Sequence, residues 1–465
     1  MTMKKLFCIF IFFLPIFGFA QQPWYKSSLD YIWKYVGIEG FSGGEAIFTS
    51  LAFNPISGEP YVGYSDYGYS SGATVMKFDG NNWVNVGNKG FSAGRADNIS
   101  LAFSTSGQPY IAFQDWGNGI GATVMKFDGN NWINVGNPDF SYGAANYPCL
   151  TFSPSDGQPY VAYSDVSNYY KTTLMKFDGN NWVNVGNVGF SPGFASSISL
   201  AFNTSGQPYV AFSDSANSNK ASVMKFDGNN WVYVGIAGFT AREAYSISMA
   251  FDTSGEPCVA FTDYGNNRKE TVMNFDGFSW VNMGQAGFSA GEAYGCSLAF
   301  NPTDGHLYVA YSDDGNLGKA TIMKFIGNNW VNVGEPGFTP TIAIYTSLAF
   351  SLTGEPYIAF SDMVNFSLPP ATVMKYDSIY AGINESRDLW FSLYPNPATD
   401  KITVEISEQI EDTKLAIVNI EEQQLITRQI TEPKTQLDIS SLPRGVYFVW
   451  LNSDKKVEVV KIIKE

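Results

Sequence analysis

The sequence predicts an all-β protein: a seven-bladed β-propeller closed by an N-terminal strand, followed by a small C-terminal β-sandwich. Three observations lead there. Trp33, Trp83, Trp132, Trp182, Trp231, Trp280 and Trp330 recur every 49 or 50 residues, a period within the range of propeller blades. Between them the same pieces return in order: Ser50 to Phe53, Pro60 to Asp66, Ala73 to Gly80 and Asn82 to Gly87. Each is a short run rich in β-branched and aromatic residues, bounded by Gly, Pro, Asn or Asp. The composition agrees, with 16% aromatic residues, 15% charged residues and 45 glycines, which favours tight turns and packed sheets.

The connections set the order of strands within a blade. Passing from the outer edge of one blade to the inner strand of the next needs more chain than a hairpin does. The longest regular connection runs from Val-Gly to the next Ser-Leu-Ala-Phe, which places Ser50 to Phe53 inside and the tryptophan strand outside. In that register the last repeat has Ser347 to Phe350, Pro356 to Asp362 and Ala371 to Asp377 but no tryptophan strand. The unpaired strand Trp33 to Gly37 at the start of the chain completes it, removing the free edges of an open array.

The tryptophans and the Met-Lys-Phe triplets recur in every unit, so they are assigned to packing between blades rather than to a ligand. Function is sought where the repeats diverge. The turns at 54–59 and 79–82 share one face and barely change. The opposite face carries the loops between second and third strands and the connections between blades, which differ throughout. It supplies the candidate ligand-binding residues Tyr67, Tyr69, Arg95, Trp116, Tyr147, Tyr169, Tyr170, Arg242, Tyr245, Tyr264 and Tyr294. Rigid amphipathic rings among Asn and Gly suit a glycan or an extracellular protein partner.

Other chemistry is poorly supplied. His306 is the only histidine, in a turn position filled by Glu59 or Gln108 elsewhere, so triads and histidine-rich metal centres lack their imidazole. Asp66, Asp115, Asp165, Asp214, Asp263, Asp313 and Asp362 end their strands, where an aspartate accepts backbone N–H bonds of its own turn. No cofactor is expected; Ca2+ is the one metal these carboxylates leave open, and Asp313 to Asn316 lacks EF-hand spacing. Cys149, Cys258 and Cys296 are expected as buried thiols. A net charge of −15 repels polyanions, so nucleic acid is not an expected partner. Two carboxylates would suffice for a glycosidase, and Arg95, Arg242 and Arg268 are the arginines of the repeats. A secreted carbohydrate-active enzyme (glycosidase or lyase) and a structural matrix component therefore stand as alternatives to a binding protein.

The ends of the chain speak to its route. Lys4-Lys5, an apolar run from Leu6 to Phe17 and Gly18-Phe19-Ala20 predict a signal peptide over 1–20, and nothing later has the roughly 20 apolar residues of a membrane helix. The propeller is assigned to 21–378, a linker to 379–390 and a second domain to 391–465, where charges become dense and alternating segments such as Lys401 to Ile406 and Leu415 to Ile420 read as strands. In that last segment Tyr394-Pro395-Asn396-Pro397-Ala398-Thr399-Asp400, Leu437 to Phe448 with Gly445 and Tyr447, and Lys461 to Lys464 follow one another. This region resembles the type A C-terminal sorting domain of type IX secretion substrates of Bacteroidota. The resemblance implies export to the periplasm, recognition by the type IX secretion machinery, and a secreted or cell-surface product; it is silent on what the cargo does. Independently of it, the protein is expected to be a monomer.

Overall fold

The computed structural model describes residues 31–363, 369–378, 391–406, 413–419, 423–453 and 456–465. The expected signal peptide (1–20) and linker (379–390) lie outside these residues. The chain divides into two compact units, one over Tyr31–Asp377 and one whose described residues begin at Ser378. Both are all-β.

The first unit contains seven four-stranded antiparallel sheets, numbered 1 to 7 here in chain order. Sheet 1 runs Ala46–Phe53, Pro60–Asp66, Gly72–Phe78 and Trp83–Asn85, inner edge to outer. Pro60–Asp66 is buried at every position, as its nearly unbroken run of uncharged residues requires when both faces of a sheet are covered. The inner strands of sheets 2 to 7 are Ala96–Phe103, Ala145–Phe152, Ala195–Phe202, Ala244–Phe251, Ala293–Phe300 and Ile342–Phe350. Sheet 7 takes its outer strand from the start of the chain: Tyr31–Tyr35 lies beside Ala371–Ser378. That strand stops short of the expected Gly37, whose φ of 73° leaves the strand region.

One difference from the sequence reading bears on the site. Each inner strand begins four residues earlier than its Ser-Leu-Ala-Phe core, or five in sheet 7, because a β-bulge carries it on past a break in register, between Ile47 and Ser50 in sheet 1. In sheets 1 to 6 the extension starts at an alanine with no exposed surface, such as Ala46, and in sheet 7 the equally buried Ala343 follows Ile342. A larger side chain there would meet the neighbouring sheet.

Neighbouring sheets are joined by a repeating set of links. Each tryptophan stacks on the phenylalanine of the connection before it, as Trp132 does on Phe91 at 4.5 Å, and its Nε1–H donates to a carbonyl of the preceding sheet, as to Val86 O at 2.7 Å. The links run through the ends of the unit: Trp33 stacks on Phe338 at 4.1 Å and donates to Val333 O at 2.8 Å, and Trp83 donates to Val36 O at 2.7 Å. Along the inner strands a serine hydroxyl of one sheet accepts a backbone N–H of the next, Ser50 from Leu101, Ser199 from Met249 and Ser347 from Leu51, each at 3.0 Å; sheet 3 carries Cys149 in the serine's place. A stacked aromatic pair contributes about 0.5–1.5 kcal/mol beyond its buried area, so the set is a large part of what holds sheet to sheet.

The second unit packs a three-stranded sheet (Phe391–Tyr394, Lys401–Ile406, Lys434–Asp438) and a four-stranded one (Gln424–Gln429, Lys414–Val418, Gly445–Ser453, Lys456–Lys464) over one core that includes Phe391, Ile402, Leu415, Leu437 and Val449. The two ends of the sorting motif meet here. Asn396 Oδ1 accepts Ile463 N–H at 2.9 Å and Ala398 N–H donates to Ile463 O at 2.8 Å. Both prolines, Pro395 and Pro397, follow cis peptide bonds. Tyr394 OH donates to Glu405 at 2.5 Å, Asp400 O accepts Ile439 N–H at 2.7 Å, and Tyr447 OH donates to Pro443 O at 2.8 Å just before Gly445 opens its strand.

Candidate functional site

The divergent face is built on a constant turn. In sheets 1 to 6 the aspartate ending the second strand engages its own loop: Asp115 accepts Gly117 N–H at 2.9 Å and Thr123 Oγ1–H at 2.8 Å, and Asp263 accepts Gly265 N–H at 2.8 Å and Thr271 Oγ1–H at 2.9 Å. These carboxylates are engaged within the fold, and no group of three or more His, Cys, Asp or Glu side chains converges among the described residues. In sheets 1 and 3 to 6 the turn ends in two left-handed residues, Ser70-Ser71, Tyr169-Tyr170, Ser218-Asn219, Asn267-Arg268 and Leu317-Gly318; the first of each pair is exposed, Tyr169 at 83%.

The inner-strand bulge supplies a second row. Phe48, Asn98, Tyr147, Ser197, Ser246, Gly295 and Tyr345 occupy equivalent bulge positions with φ between 49° and 60°, one from each sheet. Adjacent members touch: Phe48 and Tyr345 rings lie 4.8 Å apart and Ser246 N–H donates to Ser197 Oγ at 3.2 Å. Tyr147, Tyr245 and Tyr294, expected in the connections between sheets, are therefore strand residues at or beside the bulge. Phe48, Tyr345 and Leu317 belong to the same surface and escaped the sequence reading. The invariant alanine before each bulge is the signal that could have found them.

The structure groups the candidates locally. Arg95 lies over Trp116 at 5.4 Å and holds Asp97 at 2.8 Å. Tyr245 meets Tyr264 edge to face at 5.1 Å. Arg268 reaches Glu292 at 2.5 Å, and Tyr294 OH donates to the same carboxylate. Tyr169 and Tyr170 are neighbours, Tyr170 edge to face with Phe194 at 5.3 Å, and Lys89 lies over Tyr69 at 5.4 Å. Tyr67 is exposed at the start of the first such turn. Arg242 pairs with Glu243 at 3.6 Å. The three arginines thus face three different carboxylates and do not converge on one point.

A notch of about 460 Å3 opens on this face between sheets 6 and 7, lined among others by Tyr294, Gly295, Leu317, Gly318, Ile342 and Tyr345. Two cavities of about 530 and 430 Å3 lie on the opposite face. Their walls are the repeating Tyr-Lys pairs and turn residues, such as Lys324, which is bound to Asp304 at 2.7 Å and lies 5.3 Å from the Tyr308 ring. Between sheets 5 and 6, Glu270 is wholly buried with neither oxygen hydrogen-bonded, and burial pushes its carboxyl up to about 8. The thiol of Cys296 beside it donates to Ser246 O, and burial holds it protonated well above the usual thiol range.

Residues 392–465 match the secretion system C-terminal sorting domain family, in agreement with the resemblance drawn from Tyr394 to Lys464. The chain is accordingly a secreted or cell-surface protein whose C-terminal unit engages the secretion machinery, and no helix among the described residues is long and apolar enough to cross a membrane. No curated protein matches the sequence. Similar solved structures include a protein of unknown function from Dyadobacter fermentans (11% identity, TM-score 0.45, covering 75% of this chain and 98% of that one). An ulvan lyase, a polysaccharide lyase, is similar at 11% identity and TM-score 0.49 over 73% of this chain and 96% of that one. PorZ, a surface component of the type IX secretion system of Porphyromonas gingivalis, is similar at 14% identity and TM-score 0.38 over 88% of this chain and 64% of that one. Likeness of this degree leaves ligand and reaction unassigned.

Proposed function

We propose that residues 31–378 form a seven-bladed propeller that acts outside the cell as an adhesin-like or lectin-like module, recognising a glycan or an extracellular protein through the face of its divergent loops. The observation that carries this reading is a contrast within one repeat. Side chains that join sheet to sheet recur unit after unit, whereas on this face Tyr69, Trp116, Tyr169 and Tyr264 occupy or adjoin turns that sheet 4 builds from Ser, Ala and Asn and sheet 6 from Asp, Gly, Asn and Leu, and all four are exposed. Rings held on a rigid sheet add contact area with little entropy to lose on binding. No metal enters the reading, since the strand-end aspartates already serve their turns. The pairing of Arg95, Arg242 and Arg268 with separate carboxylates disfavours a shared anion site for catalysis.

The test is a glycan array probed with the purified chain, with and without EDTA. Saturable binding lost on Trp116→Ala or Tyr169→Ala and indifferent to EDTA is expected. Turnover of a bound glycan would favour the enzyme instead, and silence with folded protein would move the reading to a protein partner.

A further inference from the structure

We propose that the notch between sheets 6 and 7 is a subsite for an uncharged terminal sugar ring of a glycan, an inference that rests on the recognition reading of this face and narrows its ligand. Four departures from the repeat create the notch together. The bulge residue of sheet 6 is Gly295, where every other sheet carries a side chain from Phe48 to Tyr345. The last residue of the turn is Gly318, in the place of Ser71, Ile120, Tyr170, Asn219 and Arg268; the carbonyl of each accepts the N–H of the alanine that opens the next inner strand's bulged segment, Gly318 O from Ala343 at 3.0 Å. The residue before that alanine, charged as Glu45, Arg95, Glu243 and Glu292 in sheets 1, 2, 5 and 6 and apolar as Ala144 and Phe194 in sheets 3 and 4, is Ile342. Leu317, 78% exposed, stands where sheets 1, 4 and 5 have Ser70, Ser218 and Asn267. Two losses of side chain open the space and two aliphatic residues make it apolar.

What remains around it selects the occupant. Tyr294 and Tyr345 supply two partly exposed rings, which accept the C–H face of a pyranose as they accept any apolar ring face. Asp314 also lines the notch and offers a hydrogen-bond acceptor suited to sugar hydroxyls, whereas Glu292, bonded to Tyr294 OH, lies outside the lining and is already paired with Arg268. No lysine or arginine is among the lining residues, and the chain carries a net charge of −15; a uronate or sulfated sugar would be repelled without a compensating cation. The volume falls within the roughly 300–1,000 Å3 of small-ligand sites.

The purified chain is titrated with neutral oligosaccharides (cello- and galacto-series) and anionic ones (oligogalacturonate and a sulfated galactan fragment), and probed on a glycan array covering both classes. The neutral class is expected to bind at least tenfold tighter. Gly295→Tyr fills the notch with the side chain that Tyr147 and Tyr345 carry at the same backbone position with φ of 54°, so the fold should tolerate it; neutral binding should weaken at least tenfold, as it should with Tyr294→Ala. Phe278→Ala, on a turn of the opposite face where the ring is 93% exposed, should change nothing. A preference for anionic glycans, or neutral binding that survives Gly295→Tyr, overturns the proposal; survival combined with loss on Trp116→Ala leaves the recognition face standing and removes only the notch. Silence to every glycan overturns the notch proposal and moves the recognition face to a protein partner.

Discussion

The contact surfaces between sheets and the divergent face are made by the same seven repeats, and they obey opposite rules. Between sheets, a tryptophan, a phenylalanine and an alanine recur because the space they fill is set by the sheets on either side, and close packing leaves little tolerance in volume. On the divergent face, the backbone is just as regular, with a bulge and a turn in each unit, while the side chains vary freely. The backbone is specified in both places. Only the packed surfaces specify the side chain as well, and that separation lets a repeat protein change its ligand surface without changing its fold.

Truncating a packing residue should break the comparison most severely. Trp132→Ala removes a stacked, hydrogen-bonded and buried ring, and a loss of about 3–5 kcal/mol is expected, read as a shift in the urea midpoint at constant slope.

Glu270 tests the packing rule at its one charged exception. It occupies the position of Ala73, Ala122, Ala221, Ala320 and Ala371, and it faces Cys296 where Ala221 faces Ile247, so a larger acid is matched by a smaller partner. Burial raises its carboxyl from 4.5 to about 8, and the folded state therefore holds a proton that the unfolded state releases. The associated stability is fully present below about pH 4.5 and is lost as pH rises through 8, at about 1.4 kcal/mol per pH unit. Melting temperature should fall across that window. In Glu270→Ala/Cys296→Ile, which restores the Ala221–Ile247 pair, that part of the fall should vanish; an unchanged profile would show that Glu270 is not its source.

The turn aspartates connect the two regimes. Asp214→Ala frees Ala216 N–H, Asn217 Nδ2 and Ser222 Oγ, which lie 2.8–3.0 Å from its carboxylate, and about 1–3 kcal/mol should be lost. Faster hydrogen exchange should be confined to the 215–219 turn. The smallest stability effect belongs to the face itself: Tyr169→Ala should change unfolding free energy by no more than about 0.5 kcal/mol while weakening glycan capture. A large destabilisation there would mean that the exposed ring is a packing residue after all.

Repetition made the sheets legible. Seven tryptophans at 49 or 50 residues and four punctuated runs between them placed the strands to within a few residues, including the outer strand that the start of the chain adds to sheet 7, because each repeat is read against six others. The second unit was legible for a different reason: Tyr394 to Asp400 and Lys461 to Lys464 are bonded to one another through Asn396 and Ala398, so the residues that identify the motif also clasp its ends together.

What the tertiary structure alone decided depends on neighbours distant in sequence. The bulge at Phe48 and its counterparts arises where the inner strand passes the adjacent sheet, so Tyr147 and Tyr294 read as loop residues until that sheet is in place. Nothing local in Lys269-Glu270-Thr271 marks a buried acid, yet the packed sheets bury Glu270 completely. The notch needs Gly295 and Ile342, 47 residues apart in the sequence, to face each other across two sheets. Local propensity and period determine which strands form and how often; the shape of a site is the gap left between strands from different repeats, and it exists only once they are packed.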